Sequence, residues 1–297
     1  NSRHVVGIIN AWGALRTWQT HMVAHAKWYK HIYSYLGVIE ALAGLPFNVR
    51  FLSFDDVLAG IDDDIAVLIN AGTANTAFSG GSAWNNPHLV AAIRAFVARG
   101  GGFIGVGEPS AYLREGGVES GTYFQLADVL GVDREIGWSL STNRYPTYEL
   151  DHDIAADLGE DFDAGERVGE IYPTTATVVR DHHGSVDIAA NHYGAGHAVY
   201  FAGLPYSTTN ARTLHRAIIW AATGAMDDLA EVWTTSHPDV EVASYPHANR
   251  LFVYNSGTSN RDVMVNGPAG ECHAVQLAAL ESSWISLNDD HEHITQQ

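Results

Sequence analysis

The apolar positions fall into runs that alternate between two periods along the first two thirds of the chain. Residues 65–70 read Ile-Ala-Val-Leu-Ile-Asn, with no polar alternation before Asn70, as expected for a strand covered on both faces of a parallel sheet. Residues 4–10, 49–54 and 103–106 give further short strands. Residues 27–43 predict a helix instead, because Trp28, Ile32, Tyr35, Leu36, Ile39 and Leu42 recur at spacings of three and four before Gly44. Residues 86–99 predict another, opened by Asn86-Pro87 and stopped by Gly100-Gly101-Gly102. Parallel strands need crossovers, and crossovers are usually helical, so this order predicts an α/β sheet flanked by helices.

From residue 175 the rhythm quickens. Strands are predicted at 175–180, 186–191 and 197–202, separated by Asp181-His182-His183-Gly184 and Gly194-Ala195-Gly196, as an antiparallel extension of the same sheet. A helix at 208–223 comes next, with Leu214, Ile218, Ile219 and Ala222 on one stripe and Gly224 as its stop. Beyond Asp227 the helical period disappears. Short strands at 240–244, 251–254, 262–265 and 272–280 predict a small all-β sandwich module, near the lower size limit for independent stability. The expected organisation is an α/β domain over residues 1–226, a β-sandwich over 227–287 and a disordered acidic tail over 288–297.

Charge narrows the class of partner. Acidic residues number 34 against 16 basic ones, and Lys27 and Lys30 are the only lysines, so phosphate backbones and anionic lipid surfaces are repelled. Neither nucleic acid nor membrane is an expected partner, and no apolar run approaches the roughly 18 residues of a membrane-spanning helix. Cys272 is the single cysteine, which excludes an intramolecular disulfide and fits a reducing cytoplasm. The chain opens on Asn1 and enters an apolar strand within a few residues, which reads as a piece of a longer protein.

The polar and glycine-rich segments come directly after the predicted strands, one after another: Asn10-Ala11-Trp12-Gly13, Asn70-Ala71-Gly72-Thr73, Gly105-Val106-Gly107-Glu108-Pro109 and Gly203-Leu204-Pro205-Tyr206. Ligands of open α/β sheets bind at that carboxyl edge, although glycine and asparagine also end strands for purely local reasons. Asn10, Trp12, Arg16, His21, Asn70, Glu108 and Tyr206 are therefore the candidate site-edge or domain-junction residues. Glu108 stands where an amidotransferase-like domain carries the cysteine of its nucleophile elbow, so thiol chemistry is excluded there. Its carboxylate should accept hydrogen bonds, reach a polar partner or cap a following helix.

His21 and His25 are four apart, but no third ligand is evident and no metal site is expected. Cys272 reads as a small buried apolar residue. The pairs and runs Asp55-Asp56, Asp62-Asp63-Asp64 and Asp151-His152-Asp153 read as solvated loops or helix caps. Trp12, Trp18, Trp28, Tyr29, Ile32, Tyr33 and Tyr35 crowd one segment; a sugar could stack there, but packing and self-association are the readings preferred.

These residues carry a resemblance. Residues 5–16 (Val-Val-Gly-Ile-Ile-Asn-Ala-Trp-Gly-Ala-Leu-Arg), 18–26, 52–58, 69–72 and 101–109 together resemble the C-terminal half of the 1,3-β-galactosyl-N-acetylhexosamine phosphorylases, or lacto-N-biose phosphorylases, of glycoside hydrolase family 112. The resemblance implies a three-part enzyme with an N-terminal TIM barrel, an amidotransferase-like (flavodoxin-like) middle domain and a C-terminal β domain. It implies reversible phosphorolysis with inversion, inorganic phosphate being the co-substrate and no further cofactor needed. The general acid of that family is an Asp on the barrel, so no residue of this chain matches a catalytic one. The barrel, a galactosyl-N-acetylhexosamine disaccharide and a second copy in a homodimer are the implied partners. Two other readings stand beside it: a non-catalytic oligomerisation module like that of family 42 β-galactosidases, and an amidotransferase-like hydrolase, which the missing elbow cysteine weakens.

Overall fold

The computed structural model describes residues 4–9, 33–74, 78–112, 123–135, 146–159, 162–226, 233–268 and 270–287. The expectations placed on residues 10–32 and on the tail 288–297 lie outside the described residues. Two compact units divide the chain, Asn1–Ala225 and Met226–Gln297.

In the first unit the strands are β1 (Val5–Ile9), β2 (Asn48–Leu52), β3 (Ile65–Gly72), β4 (Gly102–Gly107), β5 (Val132–Arg134), β6 (Thr147–Tyr148), β7 (Ile171–Pro173), β8 (Thr177–His182), β9 (Ser185–Tyr193) and β10 (Gly196–Phe201). The helices are α1 (Tyr33–Ala43), α2 (Phe54–Ala59), α3 (Pro87–Ala98), α4 (Ala127–Leu130) and α5 (Thr208–Thr223). Eight strands make one mixed sheet in the order β2-β1-β3-β4-β10-β9-β8-β6, and β5 pairs separately with β7. β2, β1, β3, β4 and β10 run parallel, with Val67 opposite Gly102 and His197 also opposite Gly102.

The segment 197–202, expected in an antiparallel extension, instead completes the parallel set as β10 beside β4. Only β9 runs against this set; β8, antiparallel to β9, and β6, parallel to β8, run with it. The reason lies in the next helix: α5 packs on β3, β4 and β10, so the last strand and helix complete the helical layer of the parallel sheet.

Successive strand residues point to opposite faces. Leu68, Phe103, Ala198 and Tyr200 share a buried cluster with Leu89, Ile93 and Phe96 of α3 and Val129 and Leu130 of α4. The alternate residues are as well buried, with Val67, Ile69, Ile104 and Val199 all at 0% exposure, and α1 and α5 pack together on that side. Asn86 caps α3, its Oδ1 accepting from His88 N at 3.0 Å, and Pro87 occupies the first turn where its missing N–H costs nothing.

α2 has no counterpart in the apolar pattern, which places a strand through Phe54. Ser53 ends that strand by forming a capping box: its Oγ accepts from Asp56 N at 3.1 Å, and the Asp56 carboxylate accepts from Ser53 N at 2.8 Å. The acidic pair Asp55-Asp56 thus lies in the first turn of a helix. Asp62 and Asp64 pair with Arg50 on the surface, where such bridges contribute little.

His215 of α5 gives this unit a pH dependence. Its ring packs edge-on against Phe47 at 5.3 Å between centroids, and burial, helped by Arg212 and Arg216, pushes its pKa down to about 4 against an opposing pull from Asp157. The unfolded chain takes up this proton below its ordinary value near 6.5 while the folded chain refuses it, so stability is full above pH 6.5 and falls as pH drops toward 4. Urea denaturation between pH 7.5 and 4.5 should show a loss from this group on the order of 2 kcal/mol, which His215→Gln removes. Identical pH slopes for the two proteins would contradict the assignment.

The second unit holds β11 (Thr234–Thr235), β12 (Val240–Tyr245), β13 (Arg250–Asn255), β14 (Arg261–Asn266), β15 (Cys272–Leu277) and β16 (Ser282–Ser286). They form two three-stranded antiparallel sheets, β11-β14-β15 and β12-β13-β16. Val240, Leu251, Val253, Val263, Val265 and Leu277 form one shared core. The strand expected over 272–280 stops at Leu277, because a turn with Leu280 at φ 60° follows it, and β16 beyond that turn has no counterpart in the expected pattern.

Cys272 corrects a second expectation. It is exposed, since His273, Val275 and Leu277 take the inward phase of β15 and leave Cys272 outward opposite Asn266, whose Oδ1 lies 3.1 Å from its Sγ.

Candidate functional site

β3 and β4 end side by side, with Gly72 paired to Gly107. The chain must then turn at once. Gly107 adopts φ 78°, and a Cβ there would lie 2.8 Å from the Gly72 carbonyl, so only glycine allows the approach. Glu108 N continues the ladder to Gly72 O at 2.8 Å, and Tyr200 of β10 donates its hydroxyl to Gly107 O at 3.0 Å.

The Glu108 side chain is buried and fully engaged. Its Oε2 accepts from Ala74 N at 2.9 Å, while Oε1 accepts from the Tyr123 hydroxyl and from Arg134 Nη1 at 2.5 Å. Arg134 also reaches the Tyr123 oxygen at 3.3 Å and lies over that ring at 5.3 Å from its centroid. Buried Asp133 fixes the backbone of both partners, accepting from Tyr123 N at 3.1 Å, Phe124 N at 2.9 Å and Arg134 N at 2.9 Å.

Burial, and then the neighbouring Glu108 carboxylate, push the Tyr123 phenol well above its ordinary value; burial does the same to Tyr200. Both phenols therefore stay protonated near neutrality and act as donors. The Glu108 carboxylate is already engaged by three donors, and no thiol stands at the turn. The geometry offers a charge-compensated shelf at the turn that follows β4.

Asn70 ties the two edge loops together. Its Nδ2 donates to Ser79 O at 3.2 Å and its Oδ1 accepts from Ser110 N at 3.0 Å. Ser110 is a fully buried serine at φ 54°, a strained conformation that persists because its Oγ accepts from Leu126 N at 3.2 Å and its carbonyl from Gln125 N at 2.9 Å. Buried polar groups thus gather at the carboxyl ends of β3 and β4, beside one strained residue, Ser110.

Of the sequence candidates, Asn70 and Glu108 meet in this network, joined through the Gly107 turn and its Ser110 clasp. Tyr206 lies past the end of β10 and is 51% exposed. Asn10, Trp12, Arg16 and His21 lie outside the described residues, as does His25. Tyr123, Asp133 and Arg134 carry no local signature, and sequence reasoning does not find them; their only hint is that Asp133-Arg134 comes just after a helix-stopping Gly131. Among the described residues no three His, Cys, Asp or Glu side chains could hold a metal ion, and no helix there is long and apolar enough to cross a membrane.

Two family descriptions match the chain in succession: "Lacto-N-biose phosphorylase central domain" over residues 5–226 and "Lacto-N-biose phosphorylase C-terminal domain" over residues 233–285. A 1,3-β-galactosyl-N-acetylhexosamine phosphorylase of Lachnoclostridium phytofermentans is 43% identical, over 97% of this chain and 39% of its own length. One from Bifidobacterium longum subsp. longum is 42% identical over 94% of this chain and 41% of its own. A D-galactosyl-β-1→4-L-rhamnose phosphorylase of L. phytofermentans is 30% identical over 95% of this chain. Among solved structures, a β-galactosidase from Bacillus circulans sp. alkalophilus is similar at 16% identity and a TM-score of 0.46, over 95% of this chain and 41% of that one. The chain spans about two fifths of the length of the two hexosamine phosphorylases. It belongs to the lacto-N-biose phosphorylase family, in which its two units correspond to the central and C-terminal domains.

Proposed function

We propose that this chain is the non-barrel part of a phosphorylase that reversibly converts a β-1,3-galactosyl-N-acetylhexosamine and inorganic phosphate into α-galactose 1-phosphate and the free hexosamine. The carrying observation is the match of both family descriptions in order along one chain. The hexosamine class is favoured over rhamnose by 42–43% identity against 30%. In that reaction a phosphate oxygen bonds to the anomeric carbon as the glycosidic C–O bond breaks, and the departing hexosamine oxygen takes a proton from an acid. The acid and the phosphate contacts belong, in this reading, to an N-terminal TIM barrel of the same protein.

The part assigned to this chain is structural support of that site. The carboxyl edge of the sheet, with Asn70, Glu108 and Tyr206, is the surface assigned to the domain junction; Asn10, Trp12, Arg16 and His21, which follow β1 in sequence and lie outside the described residues, are assigned to the same junction on sequence alone. The parallel strand order β2-β1-β3-β4-β10 supports a flavodoxin-like reading of the first unit, whose ligands and partners meet the strand ends. Exposed Tyr33 and Leu36 on α1, at 46% and 38%, support a homodimer contact beside the aromatic segment. The single cysteine supports a cytoplasmic setting.

The full-length protein, given lacto-N-biose and phosphate, should release α-galactose 1-phosphate and, in the reverse direction, rebuild the disaccharide. Release of free galactose without phosphate, or preference for galactosyl-rhamnose, would overturn the assignment.

A further inference from the structure

The two sheets of the second unit turn unlike faces outward. On β14 and β15 the outward residues are Asp262, Met264, Asn266, Cys272, Ala274 and Gln276, a mixed polar surface. On β12, β13 and β16 the same alternation sends Leu251 and Val253 into the core and Tyr245, Phe252, Tyr254 and Trp284 out. The rings are organised: Trp284 lies 5.1 Å from Phe252 and 5.3 Å from Tyr245 between centroids, tilted by 59° and 55°. Trp284 and Tyr245 nonetheless remain 54% and 48% exposed.

Polar groups border this patch. Arg250 is paired between Tyr245 and Ser286, and Glu241 and Ser282 flank Tyr254 at the other end of the same face. We propose that the outer face of β12-β13-β16 is a carbohydrate-binding surface, with Trp284 as its stacking platform and a neutral β-galactosyl saccharide as its ligand. A pyranose offers an apolar C–H face to an aromatic ring and a rim of hydroxyls to nearby donors and acceptors, the combination that amphipathic rings with polar neighbours provide.

Other occupants fit less well. Asp239, Glu241, Asp262, Glu271 and Glu281 outnumber Arg250 and Arg261 in this unit, which repels a phosphate backbone. A stable protein partner covers about 800 Å² and some 20–30 residues per side. Four rings edged by serines and charges fall short of that area and match a mono- or disaccharide. The saccharide class rests on this face alone; the choice of galactose rests on the proposed function.

The test uses the 297-residue chain, in which a barrel site cannot contribute. Titrated with lacto-N-biose and followed by tryptophan fluorescence and calorimetry, it should bind saturably with a dissociation constant on the order of 1 mM. Trp284→Ala should weaken binding at least about ten-fold while leaving the melting temperature near wild type, since the ring is half exposed. Tyr245→Ala should weaken it as well, and serves if the first variant does not fold. Absence of saturable binding up to about 20 mM, unchanged affinity in both variants, or a dimer that Trp284→Ala dissociates would overturn the proposal. Phosphorolysis is read in the full-length protein, so failure here leaves that assignment standing and the reverse also holds.

Discussion

Glu108→Ala is expected to destabilise the first unit by about 3 kcal/mol in urea denaturation, near the lower end for breaking a buried ion pair because Arg134 keeps part of its surface in water. Three donors lose their acceptor at once: Ala74 N, the Tyr123 hydroxyl and Arg134 Nη1. The guanidinium is the costly one. Its Nε is already buried without a partner among the described residues, so the charge cannot simply turn to a second protein acceptor. Glu108→Gln keeps the shape and one carbonyl acceptor, and should cost less, about 1–2 kcal/mol.

The diagnostic is the double variant. Arg134→Met in the Glu108→Ala background removes the stranded charge, so the two changes together should cost less than their sum by roughly 1–3 kcal/mol. Additive effects would mean that the 2.5 Å contact contributes nothing as a pair. The sequence alone leads one to expect that Glu108→Gln leaves melting nearly unchanged; its position as the hub of a buried network argues otherwise, and any kinetic comparison in the full-length protein has to be made below the lowered melting temperature.

How much of the fold is legible in the sequence depends on where each signal resides. β3 and β4 can be read because a strand buried on both faces is apolar at every position, and α3 because its cap and stop residues are local. α2 cannot, since its signal is a reciprocal bond between Ser53 and Asp56 inside an acidic pair that reads equally as solvated loop or helix cap. The parallel direction of β10 is hidden for a different reason: a short Gly194-Ala195-Gly196 turn correctly predicts its antiparallel pairing with β9, but says nothing of its other neighbour, β4. Cys272 is misplaced by one step of strand phase, which composition cannot fix.

The site divides the same way. Asn70 and Glu108 are visible because each lies at the end of an apolar strand, on the edge where polar groups gather. Tyr123 and Arg134 are not, because they reach Glu108 from 15 and 26 residues away through a hydrogen bond and an ion pair that exist only in the folded chain. Asp133, which positions both, is not singled out by any pattern in the sequence.

The central claim is a division of labour, in which this chain supports a catalytic site whose acid and phosphate contacts lie elsewhere in the protein. Nothing in the described network can replace them. The Glu108 carboxylate is already engaged by three donors, Tyr123 and Tyr200 have their phenols raised by burial and their hydroxyls bound to protein acceptors, and a general acid must be free to give its proton at the reacting oxygen. Removing such a group and its electrostatic partners typically abolishes turnover by several orders of magnitude. The direct measurement is to incubate the isolated 297-residue chain, beside the full-length protein, with lacto-N-biose and phosphate and to quantify galactose 1-phosphate. The account predicts product from the full-length protein and none above the protein-free control from the chain alone; turnover by the isolated chain would contradict it.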